Sequence, residues 1–169
     1  MRTLAHELAA PKYAHIERER RWLVVRDRRP VLDGLPCLRV EDRYLTDTRM
    51  RLRRMTDLYS GEVTVKLTKK YDAADPLARP IVTTYLTPVE YDLLAGLPAA
   101  TLRKRRYTCD GYSMDVFEDA LAGLDLVEIE ATNDAALAAI AALDWAGRDV
   151  SHDPRYQGGS LVANGIPEE

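Results

Sequence analysis

Cysteine is scarce in this chain. Cys37 and Cys109 are the only two in 169 residues, too few for a disulfide framework. The fold does not depend on one, because a chain of this length can bury roughly 70% of its unfolded surface. No apolar run reaches about 18 residues, which argues against a membrane-spanning helix. The opening segment MRTLAHELAAPKY lacks the apolar stretch of a secretory leader, so a soluble, cytoplasmic protein is expected. No linker of low complexity divides the chain, and no repeat with a period of about 20–50 residues appears. A single domain over residues 1–169 is therefore expected. His6, His15 and His152 lack zinc-ligand spacing and are expected at the surface. Stacking aromatics are few, with one Phe and two Trp, although Tyr occurs nine times.

Charge, by contrast, is plentiful. The net value is −3, from 24 Lys+Arg and 27 Asp+Glu. This near-balance hides two blocks. Residues Lys12 to Arg106 hold 21 basic and 13 acidic side chains, and Tyr107 to Glu169 hold 2 and 13. Such blocks arise when a basic nucleic-acid-binding part is joined to an acidic tail, or when two halves of one fold face each other.

The hydrophobic pattern favours the second reading. Strands are expected at Ile16–Val25, Leu38–Asp47, Thr48–Met55, Glu62–Thr68, Arg79–Thr87, Leu102–Cys109, Tyr112–Glu118 and Leu126–Ala131. The segment EVTVKLT alternates cleanly, and Asp110-Gly111 is a strong hairpin signal. Thr87, Pro88 and Glu90 form a helix start with a capping box. Thr132 or Asn133 caps a second, alanine-rich helix running to about Leu143, and a short helix is expected near Tyr156 to Val162. Crossover helices are mostly absent. The fold class is mainly β (α+β), an antiparallel sheet or closed barrel of about eight strands with flanking helices.

Residues i and i+2 share a strand face. Glu17, Glu19 and Arg21 share one, and so do Arg49, Arg51 and Arg53. Lys66 lies opposite an apolar face. Lys104 and Arg106 share a face, Asp115 stands between Ser113 and Phe117, and Glu128 and Glu130 share a face. A sheet with one wet face shows such alternation with no function attached. Sorting of sign by strand is less ordinary, because like charges side by side repel. It suits a common cavity in which acids hold a hard divalent cation such as Mg²⁺ or Mn²⁺ and bases hold a polyanion.

These segments resemble the CYTH proteins, the triphosphate tunnel metalloenzymes. Glu17-Arg18-Glu19-Arg20-Arg21 resembles their opening E-x-E-x-K motif. Tyr44, Arg51-Leu52-Arg53, Lys66, Arg79, Lys104-Arg105-Arg106, Asp115-Val116-Phe117 and Glu128-Ile129-Glu130 are similar to later motifs in the same order. The resemblance spans about residues 13–162. It implies an eight-stranded antiparallel β-barrel tunnel that hydrolyses tripolyphosphate or an organic triphosphate with Mg²⁺ or Mn²⁺, or cyclises ATP. It implies metal ligation by Glu17, Glu19, Asp115, Glu128 and Glu130, and triphosphate binding by Arg51, Arg53, Lys66, Arg79, Lys104 and Arg106. Arg21, Tyr44 and Glu19 would sit at the reaction centre. The expected partner is a small-molecule triphosphate, with a homodimer as the candidate assembly.

Two departures stand out. The family lysine is Arg21 here, and arginine cannot serve as a general base. Where bacterial members often read R-x-E-x-E, this chain reads Arg79-Pro80-Ile81-Val82-Thr83, without the two carboxylates. Three readings stay open: a metal-dependent triphosphatase, an adenylyl cyclase, or a triphosphate- or polyphosphate-binding module with little catalysis. Nucleic-acid binding through Arg51–Arg54 and Arg103–Arg106 is opposed by the overall acidity.

Overall fold

A computed structural model describes residues 10–168. His6 lies outside them. Nine strands form one antiparallel sheet: β1 (His15–Val24), β2 (Cys37–Leu45), β3 (Met50–Asp57), β4 (Val63–Lys70), β5 (Ala78–Tyr85), β6 (Ala99–Cys109), β7 (Tyr112–Phe117), β8 (Asp125–Ala131) and β9 (Ala146–Asp149). The order is β5-β4-β3-β2-β6-β7-β8-β1-β9, and β5 also pairs with β1. The first eight strands therefore close into a barrel, as expected. The ten residues of β1 make closure possible. Its first half pairs with β5 (Glu17 opposite Arg79) and its second half with β8 (Glu19 opposite Glu130).

Local chemistry follows the sequence closely. In the β6–β7 hairpin, Asp110 and Gly111 both take positive φ, 50° and 84°, as a two-residue turn of matching twist requires. Helix α1 (Pro88–Ala95) carries the capping box: Thr87 Oγ1 accepts from the Glu90 amide, and Glu90 Oε2 accepts from the Thr87 amide at 2.7 Å. Asn133 Oδ1 accepts from the Ala136 amide at 2.8 Å and caps α2 (Asp134–Ala139).

Outward faces of the strands are covered in two places. Trp22, Met114 and Val127 pack with Trp145 and with the chain after α2. Leu52 and Val65 pack beneath Tyr91 of α1. Full burial of one such side chain stabilises by about 1.5–3 kcal/mol. A third cluster lies across one end of the barrel, where Leu102, Phe117 and Leu126 meet Tyr156 and Leu161 of the C-terminal segment, which ends in α3 (Gly158–Asn164).

Four expectations are corrected. Helix α2 stops at Ala139, short of Leu143, because Ile140 and Leu143 turn into the Trp22 cluster and Arg20 captures the Ile140 carbonyl at 2.9 Å. The β2–β3 junction is a turn over residues 46–49, with Asp47 at φ 57° and Thr48 Oγ1 bonded to the Leu45 carbonyl and the Met50 amide. Strand β6 begins at Ala99, three residues early, by extending its pairing with β2 to Leu45. Strand β9 was not expected, since Ala-Gly-Arg-Asp carries no strand pattern; Trp145, buried on Trp22, brings it alongside β1.

Candidate active site

Alternation along the closed strands sends one set of side chains to the barrel axis. The result is a cavity of about 640 Å³. Nine arginines and lysines and four glutamates line it. It collects Glu17, Glu19, Arg21, Tyr44, Arg51, Arg53, Lys66, Arg79, Lys104, Arg106, Glu128 and Glu130, the residues singled out in the sequence apart from Asp115. Asp115, on the same face of β7 as Phe117, is covered by Lys104 and Arg106 and has 0% of its surface exposed.

The acids divide into two groups. Glu17, Glu19 and Glu130 come together, with one carboxylate oxygen from each within 4.8 Å of the others. Glu19 and Glu130 are direct cross-strand partners. Like charges placed opposite each other destabilise a sheet, so this pairing runs against stability. An all-oxygen donor set of this kind suits a hard cation such as Mg²⁺ or Mn²⁺. Asp115 and Glu128 are instead engaged by cations. Asp115 accepts from Lys104 Nζ at 2.5 Å and from Arg106 at 2.7 Å, and Glu128 accepts from Arg21 at 2.8 Å and from Arg106 at 2.6 Å.

Electrostatics separates the carboxyls. Burial and the neighbouring Glu128 raise the Glu19 carboxyl above its ordinary range, against the pull of Arg21 and Lys70. Burial also acts to raise Glu17, but Lys70 and Arg51 bring it below the ordinary range. Burial of Glu128 is outweighed by Arg21, Arg106, Lys104 and Lys70, which hold it well below that range.

The bases divide likewise. Arg21 is tied down on three sides, donating to Glu19 at 2.5 Å, to Glu128, and to the Tyr156 carbonyl at 2.9 Å. Arg53 is gripped by both oxygens of Asp42, at 2.5 and 2.7 Å. Lys66 and Arg79 make no ion pair among the described residues, although Arg79 donates to Gln157 Oε1 at 2.7 Å. Arg51 Nε is buried with no hydrogen-bond partner among the described residues; its nearest carboxylate, Asp42, is 3.7 Å away. Lys66 stands directly opposite Arg53 on β3, a second like-charge pair. Burial and the arginines around it (Arg53, Arg51 and Arg106) push the Lys66 ammonium below the ordinary lysine range. Arg51, Lys66 and Arg79 thus leave positive charge available on one wall.

Tyr44 lies against the C-terminal segment. A methyl group on Gly158 would fall 1.8 Å from the Tyr44 hydroxyl, so glycine is what lets the ring sit there. Ile81 and Thr83 line the cavity where carboxylates were noted as missing, and Thr83 Oγ1 lies 2.9 Å from Thr68 Oγ1. Asp42, Lys70 and Gln157 were not singled out in the sequence. Asp42 shares strand parity with Tyr44, and Lys70 with Lys66; that parity was the available signal.

The eight-stranded antiparallel barrel is the fold that the resemblance to the CYTH, or triphosphate tunnel metalloenzyme, proteins implies. Two crystal structures of one protein, NE1496, share the architecture. One, of the "hypothetical protein NE1496", is 26% identical with a TM-score of 0.56 and covers 89% of this chain and 99% of its own. The other, of the "inorganic triphosphatase NE1496", is 25% identical with a TM-score of 0.55 and covers 90% and 97%. No protein-family model and no curated protein matches the chain. Among the described residues no helix is long and apolar enough to cross a membrane.

Proposed function

We propose that this protein hydrolyses a triphosphate, inorganic or organic, inside the barrel with the help of a divalent cation. The observation that carries the reading is the pairing of like with like across the strands: Glu19 opposite Glu130 on one wall, Arg53 opposite Lys66 on the other. The acidic pair disfavours the fold by itself and is relieved by a bound cation; Arg53 is balanced by Asp42, which leaves Lys66 as the charge available to an anion. The similarity to an inorganic triphosphatase supports the same reading.

In this account Glu17, Glu19 and Glu130 hold Mg²⁺ or Mn²⁺. The cation, when bound, neutralises phosphate charge and polarises water. Arg51, Lys66 and Arg79 take the phosphate oxygens through charge-assisted hydrogen bonds. Lys104 and Arg106 extend that wall while Asp115 fixes their side chains. Arg21 remains a cation throughout and positions Glu19 and Glu128. Glu19 sits at the reaction centre, where its carboxylate orients the attacking water; the water's proton passes to a phosphate oxygen of the substrate as the oxygen–phosphorus bond forms. The anhydride bond then breaks and, from tripolyphosphate, leaves phosphate and pyrophosphate.

Ile81 and Thr83 favour a second reading, a binding module with little turnover. Release of phosphate from tripolyphosphate, thiamine triphosphate and ATP, measured with Mg²⁺ or Mn²⁺ and with a chelator, separates the two. Metal-stimulated release from at least one substrate is expected. No release from any of the three overturns the enzyme reading, and cyclic AMP from ATP would replace it with a cyclase.

A further inference from the structure

We propose that Lys70 makes this a one-cation site, its ammonium serving as a fixed second positive charge among the acids. The inference rests on the metal-dependent reading above and goes beyond it. Lys70 is the last residue of β4 and lines the cavity. Its Nζ donates to Glu17 Oε2 in a close ion pair. Among the described residues Glu17 Oε1 has no hydrogen-bond partner, so one oxygen of that carboxylate is held by the ammonium and the other is left to ligate.

The opposite wall offers nothing to a further cation. The partner of Lys70 across the β4–β5 ladder is Ile81, which has no ligand atom. The next inward residue, Thr83, has its hydroxyl engaged with Thr68. Charge balance then sets the number of cations. Three ionised carboxylates set against the Lys70 ammonium and the Arg21 guanidinium leave one net negative charge, which a single divalent cation already outweighs. A second would make the cluster strongly positive beside Arg51, with no further carboxylate in reach, since Asp115 and Glu128 are held by arginine and lysine.

The test uses the intact chain and Mn²⁺ alone, with free Mn²⁺ followed by electron paramagnetic resonance and binding by calorimetry. The wild type is expected to take one equivalent. Lys70→Gln removes a like charge from beside the ion and should tighten Mn²⁺ binding by about tenfold, a modest share of the interaction between close charges in a half-buried site. Lys70→Arg keeps the charge and should leave the affinity near the wild-type value. Circular dichroism checks that both variants are folded, and Lys70→Met replaces the glutamine variant if that one is not. Two equivalents in the wild type, or an affinity in the neutral variant that is unchanged or weaker, overturn the assignment to Lys70 while leaving metal-dependent hydrolysis intact. Absence of Mn²⁺ binding in all variants overturns the metal-dependent function itself, and this inference with it.

Discussion

Arg53 reaches the inner face of β3 with its guanidinium spanned by the two oxygens of Asp42, which is 1% exposed. Burial alone would raise the Asp42 carboxyl, but Arg53 and Arg51 hold it far below the ordinary range. A carboxyl depressed in the fold contributes stability that is present above its unfolded value of about 3.9 and is lost as pH falls through the folded value. Asp42→Asn leaves a buried guanidinium without its counter-charge, a change that typically costs about 3–5 kcal/mol. Urea unfolding should show that loss undiminished from pH 7 down to about pH 4, and shrinking only below it. A loss at pH 7 no larger than the ~1 kcal/mol of an exposed pair would show that Asp42 does not anchor the basic wall. This residue was hard to pick out because Glu41 and Arg43 flank it, and an isolated acid among charges looks like any solvated face. Glu17 and Glu19 stood out because two acids recur at i, i+2 and continue into Arg21.

Strands dominate at the scale of elements, and one irregular segment completes the site. Tyr156 and Leu161 seal one end of the barrel, Gln157 holds Arg79, and the Tyr156 carbonyl holds Arg21. Gly158→Ala would push its methyl into the Tyr44 hydroxyl, and overpacking of that kind costs about 1–3 kcal/mol. Thermal unfolding should fall accordingly; an unchanged melting temperature would mean that the segment moves aside without cost. The alternating strands and both caps were legible because each rests on local chemistry: period-two polarity, Asp110-Gly111, Thr87 with Glu90. Strand β9 and the early end of α2 were not. Ala146–Asp149 becomes a strand through the burial of Trp145 on Trp22, and α2 stops where Arg20, 120 residues away in sequence, takes the Ile140 carbonyl. Tertiary contacts decide both, and no local pattern carries them.

Across the whole molecule, the near-neutral net charge is a barrel with two differently charged walls. β1 and β8 bring Glu17, Glu19 and Glu130 together, and β3 to β5 present Arg51, Lys66 and Arg79. Sign sorted by strand was visible in the sequence, and closure of β1 on β5 turned it into a cavity. Pairing within that cavity was not visible. Asp115 and Glu128, expected among the metal ligands, are bound to Lys104, Arg106 and Arg21, while the other three acids cluster. The account therefore assigns separate tasks to the two walls. Steady-state hydrolysis of tripolyphosphate with Mn²⁺ tests this most directly, comparing wild type, Glu130→Gln and Arg51→Ala. Glu130→Gln should lower kcat by at least about 100-fold, as expected when several kcal/mol of metal-derived charge stabilisation are lost, with KM little changed. Arg51→Ala should act chiefly on KM, raising it by about tenfold for one charge-assisted contact. Equal effects of both variants on KM with kcat unchanged, or full activity in Glu130→Gln, would contradict the division of the cavity into a metal wall and a phosphate wall.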